Sequence, residues 1–377
     1  MATADLIAAP STGAVAGAEE QLPVRTNTTN QSVAQQEQQQ QQNDGPAPFD
    51  IVRTYRAMLA SDPDLTMPMA AIESLIEVLH ATPSSTAMET VEVVKKEKAK
   101  LIASSPNPLP ILAGADLFEQ FLLRSLRGQT AAGTSGGSTD RVLSFEETRE
   151  HLLHNQQLFA RRAKEARDSI AVWGSKRVVD GRVVLTVGGS RVVNKILLHA
   201  AATNPGKYFK VIYVLDGSPR SASSVAALRE AGIEVETISP AKVAYVLSNQ
   251  SQINVVLVGT EVVMLNGGVI SRMGTCQLAY LTKQVPGSLK RFYVAAETHK
   301  IVRKTPLADP MVIQLGVNQK DISKFANLGI DSSSINDDVL AEENEVDYTK
   351  PELIDGIITE QGIKTPDQIW QLTEDYI

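Results

Sequence analysis

Beyond about Ser175 the chain changes its hydrophobic period, and that change leaves few folds open. Short β-branched runs occur at Val183–Val187, Val211–Leu215, Ile233–Ile238, Val255–Val258 and Phe292–Ala295. Helical stretches separate them, at Arg191–Ala202, Ser221–Ala231 and Thr275–Lys283. Strand and helix in alternation predict a parallel sheet covered on both faces. Aromatic residues make up only 5% of the chain against 43% hydrophobic residues overall, so the core is aliphatic, as buried parallel strands require. In such sheets ligands meet the carboxyl ends of the strands. Those ends carry Gly188-Gly189-Ser190-Arg191, Asp216, Glu261 and Glu297.

From Phe49 to about Gly174 the period is helical. Ile72, Leu75, Ile76 and Leu79 share one face, as do Leu152, Phe159, Ala163, Ala166 and Ile170 on a later helix. Ser144 and Glu147 are spaced as a capping box before that helix. The Gly/Ser/Thr-rich insert at 127–140 is expected to be a loop. Residues 1–47 carry the tract Gln38–Gln42 and almost no large apolar side chains, so they are expected to be a disordered extension. The expected organisation is α/β. That tail precedes a helical domain over 48–174 and a Rossmann-like parallel-sheet domain over 175–377, which would hold a ligand pocket and a dimer contact.

A net charge of −7 argues against broad binding to nucleic acid, which needs basic surface to displace counterions. The single cysteine, Cys276, excludes an intramolecular disulfide, and no Cys/His cluster points to zinc. His151 and His154 sit three apart on one helix, but two ligands make no metal site and a solvated face is the plainer reading. The chain starts without a secretory pattern. No apolar run reaches the ~18 residues of a membrane span. A cytosolic chain that requires no cofactor is expected.

The stretch Val258–Thr275 reads VGTEVVMLNGGVISRMGT: a strand ending in a carboxylate, a glycine turn, then a helix start. With Leu185–Val193, Phe292–Leu307 and Val346–Ile363 it resembles, in matching order, the family of the alpha, beta and delta subunits of eukaryotic translation initiation factor 2B and the related sugar-phosphate isomerases. Ser190–Val193, Asn266–Gly268 and the Ala-Glu-Thr-His-Lys stretch resemble the alpha branch more than beta or delta.

The isomerases of that family move a proton between neighbouring carbons with a cysteine and an aspartate, and both groups must ionise and face each other. Here the resemblance sets Gly188 at the cysteine position and Glu261 at the aspartate position. The added methylene moves the carboxylate by ~1.5 Å, enough to matter in a preorganised site. Ser271-Arg272 replaces the enzymes' Asn-Lys pair, and Cys276 is expected to pack as a small apolar residue. No catalytic residue is therefore assigned. A pocket without chemistry is the other implication. Gly188, Gly189 and Ser190 precede a helix whose N–H groups can face an anion, with Arg191, Glu261, Asn266 and Gly267 around it. Its ligand would be a sugar phosphate or nucleotide-sugar acting as a regulator. A tight turn that binds nothing is the plainer reading. Asp216-Gly217-Ser218-Pro219 also lacks the arginine that the family carries before the proline.

The resemblance implies a non-catalytic regulatory subunit of the exchange factor for initiation factor 2. Its partners would be a second copy of itself and the beta, gamma, delta and epsilon subunits, in a decamer that the homodimer bridges. It would help to sense initiation factor 2 phosphorylated on its alpha subunit. Thr82, Ser85, Thr86 and Glu89 read as a loop and helix start that could meet that partner, or as an ordinary helix cap. Lys95, Lys96, Lys98 and Lys100 follow as a charge run. Tyr348, Leu353, Ile354, Ile357 and Ile358 are too apolar for a free tail and are expected in a dimer contact or in internal packing. An isomerase and a free-standing sugar-phosphate sensor stand as alternatives.

Overall fold

The computed structural model describes residues 49–82, 86–131, 156–203, 206, 208–285, 290–303 and 345–374, and the side chains of 126–131 and 156–160 are outside that description. The expected tail, Ser85, His151 and His154 lie outside the described residues.

Five helices come first: α1 (Ile51–Ser61), α2 (Met67–Ala81), α3 (Ala87–Ala103), α4 (Leu109–Ala131) and α5 (Gln156–Ser175). Their starts follow local chemistry. The Asp50 carboxylate accepts from the Val52 and Arg53 amides at 3.0 and 3.2 Å and so caps α1. Pro68 sits in the first turn of α2, where a missing N–H costs nothing. Thr86 caps α3 by accepting from the Glu89 amide at 3.2 Å. Ile72, Leu75, Ile76 and Leu79 are all buried with Phe118 and Leu122 of α4, as the helical period predicts. Gly114 lets α4 lie directly on α2, because a Cβ there would sit 2.1 Å from the Pro68 carbonyl oxygen.

The sheet part follows: β1 (Val183–Val187), α6 (Arg191–Thr203), β2 (Lys210–Val214), α7 (Pro219–Glu230), β3 (Glu234–Ile238), α8 (Val243–Asn249), β4 (Ile253–Gly259), β5 (Val262–Val263), β6 (Val269–Arg272), α9 (Thr275–Gln284), β7 (Arg291–Ala295), β8 (Val346–Thr349), β9 (Gly356–Thr359), β10 (Gly362–Lys364) and α10 (Gln371–Glu374). Seven strands form one sheet in the order β10-β9-β7-β4-β1-β2-β3, parallel except for the β9–β10 hairpin. A three-stranded antiparallel sheet, β5-β6-β8, stands beside it.

Strand side chains alternate between two cores. Leu185, Val256 and Val258 pack with Leu247 of α8 and Leu278 of α9. Val184, Val255 and Leu257 pack on the other face with Ile170 of α5, Ile196 of α6 and Leu228 of α7. The chain is thus α/β, with a helical N-terminal part and a mostly parallel, doubly covered sheet. The described residues from Phe49 onward belong to one compact unit. No described helix is long and apolar enough to cross a membrane.

Two expectations need correction, and one pair of alternatives narrows to a single one. Helix α4 runs through Ala131, so the insert at 127–140 begins as helix, and its remainder lies outside the described residues. Lys98 is not part of a charged surface. Its ammonium turns inward to pair with Asp116 and, at 2.8 Å, with Glu119, which supply the counter-charge that its burial demands. Leu353, Ile354 and Ile357 belong to one core of this chain and Ile358 to the other, so they are internal packing rather than a dimer face. Tyr348 is part of β8 in the small sheet, and its hydroxyl accepts from Asn266 Nδ2 at 2.8 Å.

Ile357 and Ile358 are fully enclosed on strand β9. Each change to alanine should cost about 2–5 kcal/mol, read as a lower denaturant midpoint. The solution mass of the folded fraction should stay unchanged, which size-exclusion chromatography with light scattering will check.

Candidate functional site

The chain builds β1, β2 and β3 outward, then returns to lay β4 on the other side of β1. Connections leave β1 and β4 in opposite directions, so a crevice opens above their carboxyl ends. A cavity of about 500 Å³ occupies it. Its floor is the turn Val187–Val192 with Val258–Glu261, and Ser271, Arg272, Thr275, Glu297 and Lys300 form one side. Leu59, Pro63, Leu65, Met67 and Pro68 of the helical part make the outer wall.

The glycine turn is as tight as its letters suggest. Gly188 and Gly189 have φ of +85° and +58°, a region that residues with side chains rarely adopt. A Cβ on Gly189 would meet Arg220 Cβ at 2.8 Å. A Cβ on Gly188 would meet nothing within 4 Å, so space stands open beside the turn. Ser190 fits because its neighbour is glycine: a Cβ on Gly259 would lie 2.1 Å from Ser190 Oγ.

Not every predicted anion donor is free. The Gly189 amide donates to the Tyr213 hydroxyl at 2.9 Å. The Arg191 guanidinium lines the cavity but donates outward to the carbonyls of Pro63 and, at 3.3 Å, of Leu65. Asn266 and Gly267 are not brought to the cavity lining. They form the β5–β6 turn instead, where a Cβ on Gly267 would sit 2.3 Å from the Pro366 carbonyl oxygen. That packing explains the glycine without a ligand.

Glu261 does stand on the cavity. It accepts from Asn107 Nδ2 at 2.9 Å. Burial raises its pKa, and the charges of Arg272, Lys300 and Arg220 offset only part of that rise. Glu297 behaves in the opposite way. Burial pushes it up, but Lys300 and His299 prevail, and it is held at about 2. Lys300 Nζ lies 2.8 Å from its carboxylate and Arg167 Nε 3.5 Å. His299 beside it is pushed down to about 4, mainly by burial, and so is neutral at pH 7. Asp216 turns to local work. It accepts from the Ser218 amide at 3.0 Å and from the Ser218 and Ser221 hydroxyls at 2.7 and 2.6 Å, which fixes the start of α7. Burial opposes those bonds and the Arg272 charge, yet its pKa falls.

Sequence reasoning missed Arg220, Lys300 and Asn107. Arg220 was legible, because Pro219 opens α7 and the arginine comes just after the proline instead of just before it. Lys300 and Asn107 reach the site only through the fold. The lining carries Arg191, Arg220, Arg272 and Lys300 against two carboxylates, Glu261 and Glu297. That balance suits an anion. Glu261 is a carboxylic acid of raised pKa on the lining, and Gly188 brings no ionisable side chain to it.

Cys276 lies in the first turn of α9 and not on the cavity, and its amide donates to Asp347 at 2.9 Å. Among the described residues no group of three His, Cys, Asp or Glu side chains is placed to hold a metal ion. Thr82, Thr86 and Glu89 stand at the end of α2 and the start of α3, away from the cavity lining.

The chain is 27% identical over 333 residues to the translation initiation factor eIF2B subunit alpha of Dictyostelium discoideum, covering 85% of this chain and 94% of that one. It is also 31% identical over 231 residues to the ribose 1,5-bisphosphate isomerase of Archaeoglobus fulgidus, covering 60% of this chain and 68% of that one. The fold matches a chain of the tetrameric eIF2B-beta2-delta2 complex from C. thermophilum with a TM-score of 0.61 at 17% identity, over 93% of this chain and 100% of that one. A sequence profile of the initiation factor 2 subunit family matches residues 60–366, over four fifths of the chain, and the chain belongs to this family.

Proposed function

We propose that this chain is a non-catalytic, cytoplasmic regulatory subunit of the guanine-nucleotide exchange factor for translation initiation factor 2. In this reading it forms a homodimer that bridges a decamer with beta, gamma, delta and epsilon subunits, and it helps to sense initiation factor 2 phosphorylated on its alpha subunit. The observation that carries the reading is likeness to an alpha subunit along nearly that protein's whole length. Gly188 supports it. In this reading Gly188 stands at the isomerases' cysteine position and carries no ionisable side chain to share a proton transfer with Glu261.

The cavity keeps its cations without that chemistry. In the same reading it holds a sugar phosphate or nucleotide-sugar as a regulatory ligand, with Arg220, Arg272 and Lys300 as anion partners. The partner face lies at Thr86 and Glu89, where the α3 cap ends in open solvent and Met88 is 72% exposed. Lys95 and Lys96 stay exposed on the same helix and add positive charge toward a phosphorylated partner.

Native mass spectrometry on the tagged chain from its own cell lysate tests the assembly. Two copies each of this chain and four partner subunits are expected. A lone homodimer, under conditions that preserve other large complexes, would overturn the regulatory-subunit reading.

Glu89→Ala should weaken inhibition of exchange by the phosphorylated factor while assembly persists. Full inhibition in that variant would remove this surface from the partner contact.

Calorimetry with ribose 1,5-bisphosphate should show binding without turnover, and Arg220→Ala should weaken it about tenfold or more, in keeping with loss of a charged hydrogen-bond donor. Absence of binding at millimolar concentration would refute the ligand reading, and conversion of the compound would restore the isomerase.

A further inference from the structure

We propose that helix α2 couples occupancy of the cavity to the candidate partner face at its other end, an inference that rests on the ligand reading of the cavity given above. Met67 and Pro68 at the start of α2 form part of the cavity wall. Thr82 ends the helix, and Thr86 caps the next one. Fifteen residues separate wall from face, about 22 Å of helix. Ten of those residues are buried, so the helix is enclosed along its length and responds as one body. At the cavity end it has a fulcrum. The Pro68 backbone lies against Gly114 of α4, with no room for even a methyl group between them.

The loop that leads into α2 is held by the same charges that an anion would engage. Arg191 donates to the carbonyls of Pro63 and Leu65. Arg167 donates to the Asp64 carbonyl at 2.7 Å. Thr66 Oγ1 lies 3.3 Å from His299 Nε2. Arg191 and Lys300 line the cavity. Whatever Arg191 gives to an anion it withdraws from the loop carbonyls. Whatever Lys300 gives leaves Glu297 to Arg167, which also grips the loop. Both exchanges act on residues 63–66, one step before α2. By linkage, ligand and partner then change each other's affinity by the same factor.

Hydrogen exchange on the full chain, with and without saturating ribose 5-phosphate, tests this. In the wild type, local slowing is expected at the amides of Ser190–Val193 and Glu261. A change of about fivefold is expected at the Glu89 and Thr90 amides in the first turn of α3, the low end of couplings between sites. Thr66→Val, which lies off the cavity lining, should keep the local slowing and lose the remote change. Local slowing with no remote change in the wild type overturns the relay and leaves the ligand reading standing. No local slowing with millimolar ribose 5-phosphate or inorganic phosphate overturns the ligand reading, and the relay falls with it.

Discussion

A carboxylate with no exposure to water has to be answered by cations, and Glu297 sets that demand at the centre of this molecule. One answer, Lys300, comes from the turn that follows β7, and the other, Arg167, from helix α5 of the helical part. The pair forces α5 to dock over the ends of the parallel strands. Arg167 then has donors left for the Asp64 backbone, and Arg191 adds the carbonyls on either side. The outer wall of the cavity is thus built from loop backbone that two guanidinium groups hold down. Removing the charge of Glu297 would leave those cations buried against one another, so the cavity and the seating of the helical part depend on one group.

How much of this could be read from the letters divides along a physical line. Features that rest on neighbours in the chain were legible. The period change located the central strands along the chain, and the Gly188-Gly189 turn and the strand-end carboxylates Glu261 and Glu297 stood where the alternation put them. Thr86 acts as the cap that its spacing suggests. Features that need a distant partner were not legible. The small sheet pairs Val269–Arg272 with Val346–Thr349, two short segments with some seventy positions between them. Lys98 looked like part of a solvated run because its partners, Asp116 and Glu119, lie on another helix. Arg191 sits beside the glycine turn in sequence, yet its long side chain reaches carbonyls more than a hundred positions earlier. Asn266 and Gly267 read as a cradle because glycine turns serve anions, but the glycine here answers to the Pro366 backbone.

The same division bears on enzyme against regulator. One fold hosts many functions, so the fold does not decide between them. What decides is whether two ionisable groups face one another across a substrate. Glu261 is an able acid: burial raises its pKa and Asn107 orients it. Gly188 supplies no partner. Its φ of +85° also means that a cysteine placed there would meet backbone strain of roughly 1–2 kcal/mol, although the space for its side chain is open.

A cavity lined by cations that are already paired can still do work if its charges serve two masters. Arg272 illustrates this: it lines the cavity, stands 3.7 Å from Asp216, and lowers the pKa of that carboxylate, which fixes the start of α7. Lys300 does the same with Glu297 and the Thr260 carbonyl, the latter at 3.0 Å. Neither cation is idle when the cavity is empty, so an entering anion competes with structure rather than filling a vacancy. That competition lowers affinity, since part of the attraction only replaces existing pairs. It also makes binding felt elsewhere, because the displaced partners belong to a loop and to helix starts that lead away from the site. In the proposed ligand reading, weak binding with distant effect suits a regulator better than a catalyst, whose charges must be free to follow the reacting atoms.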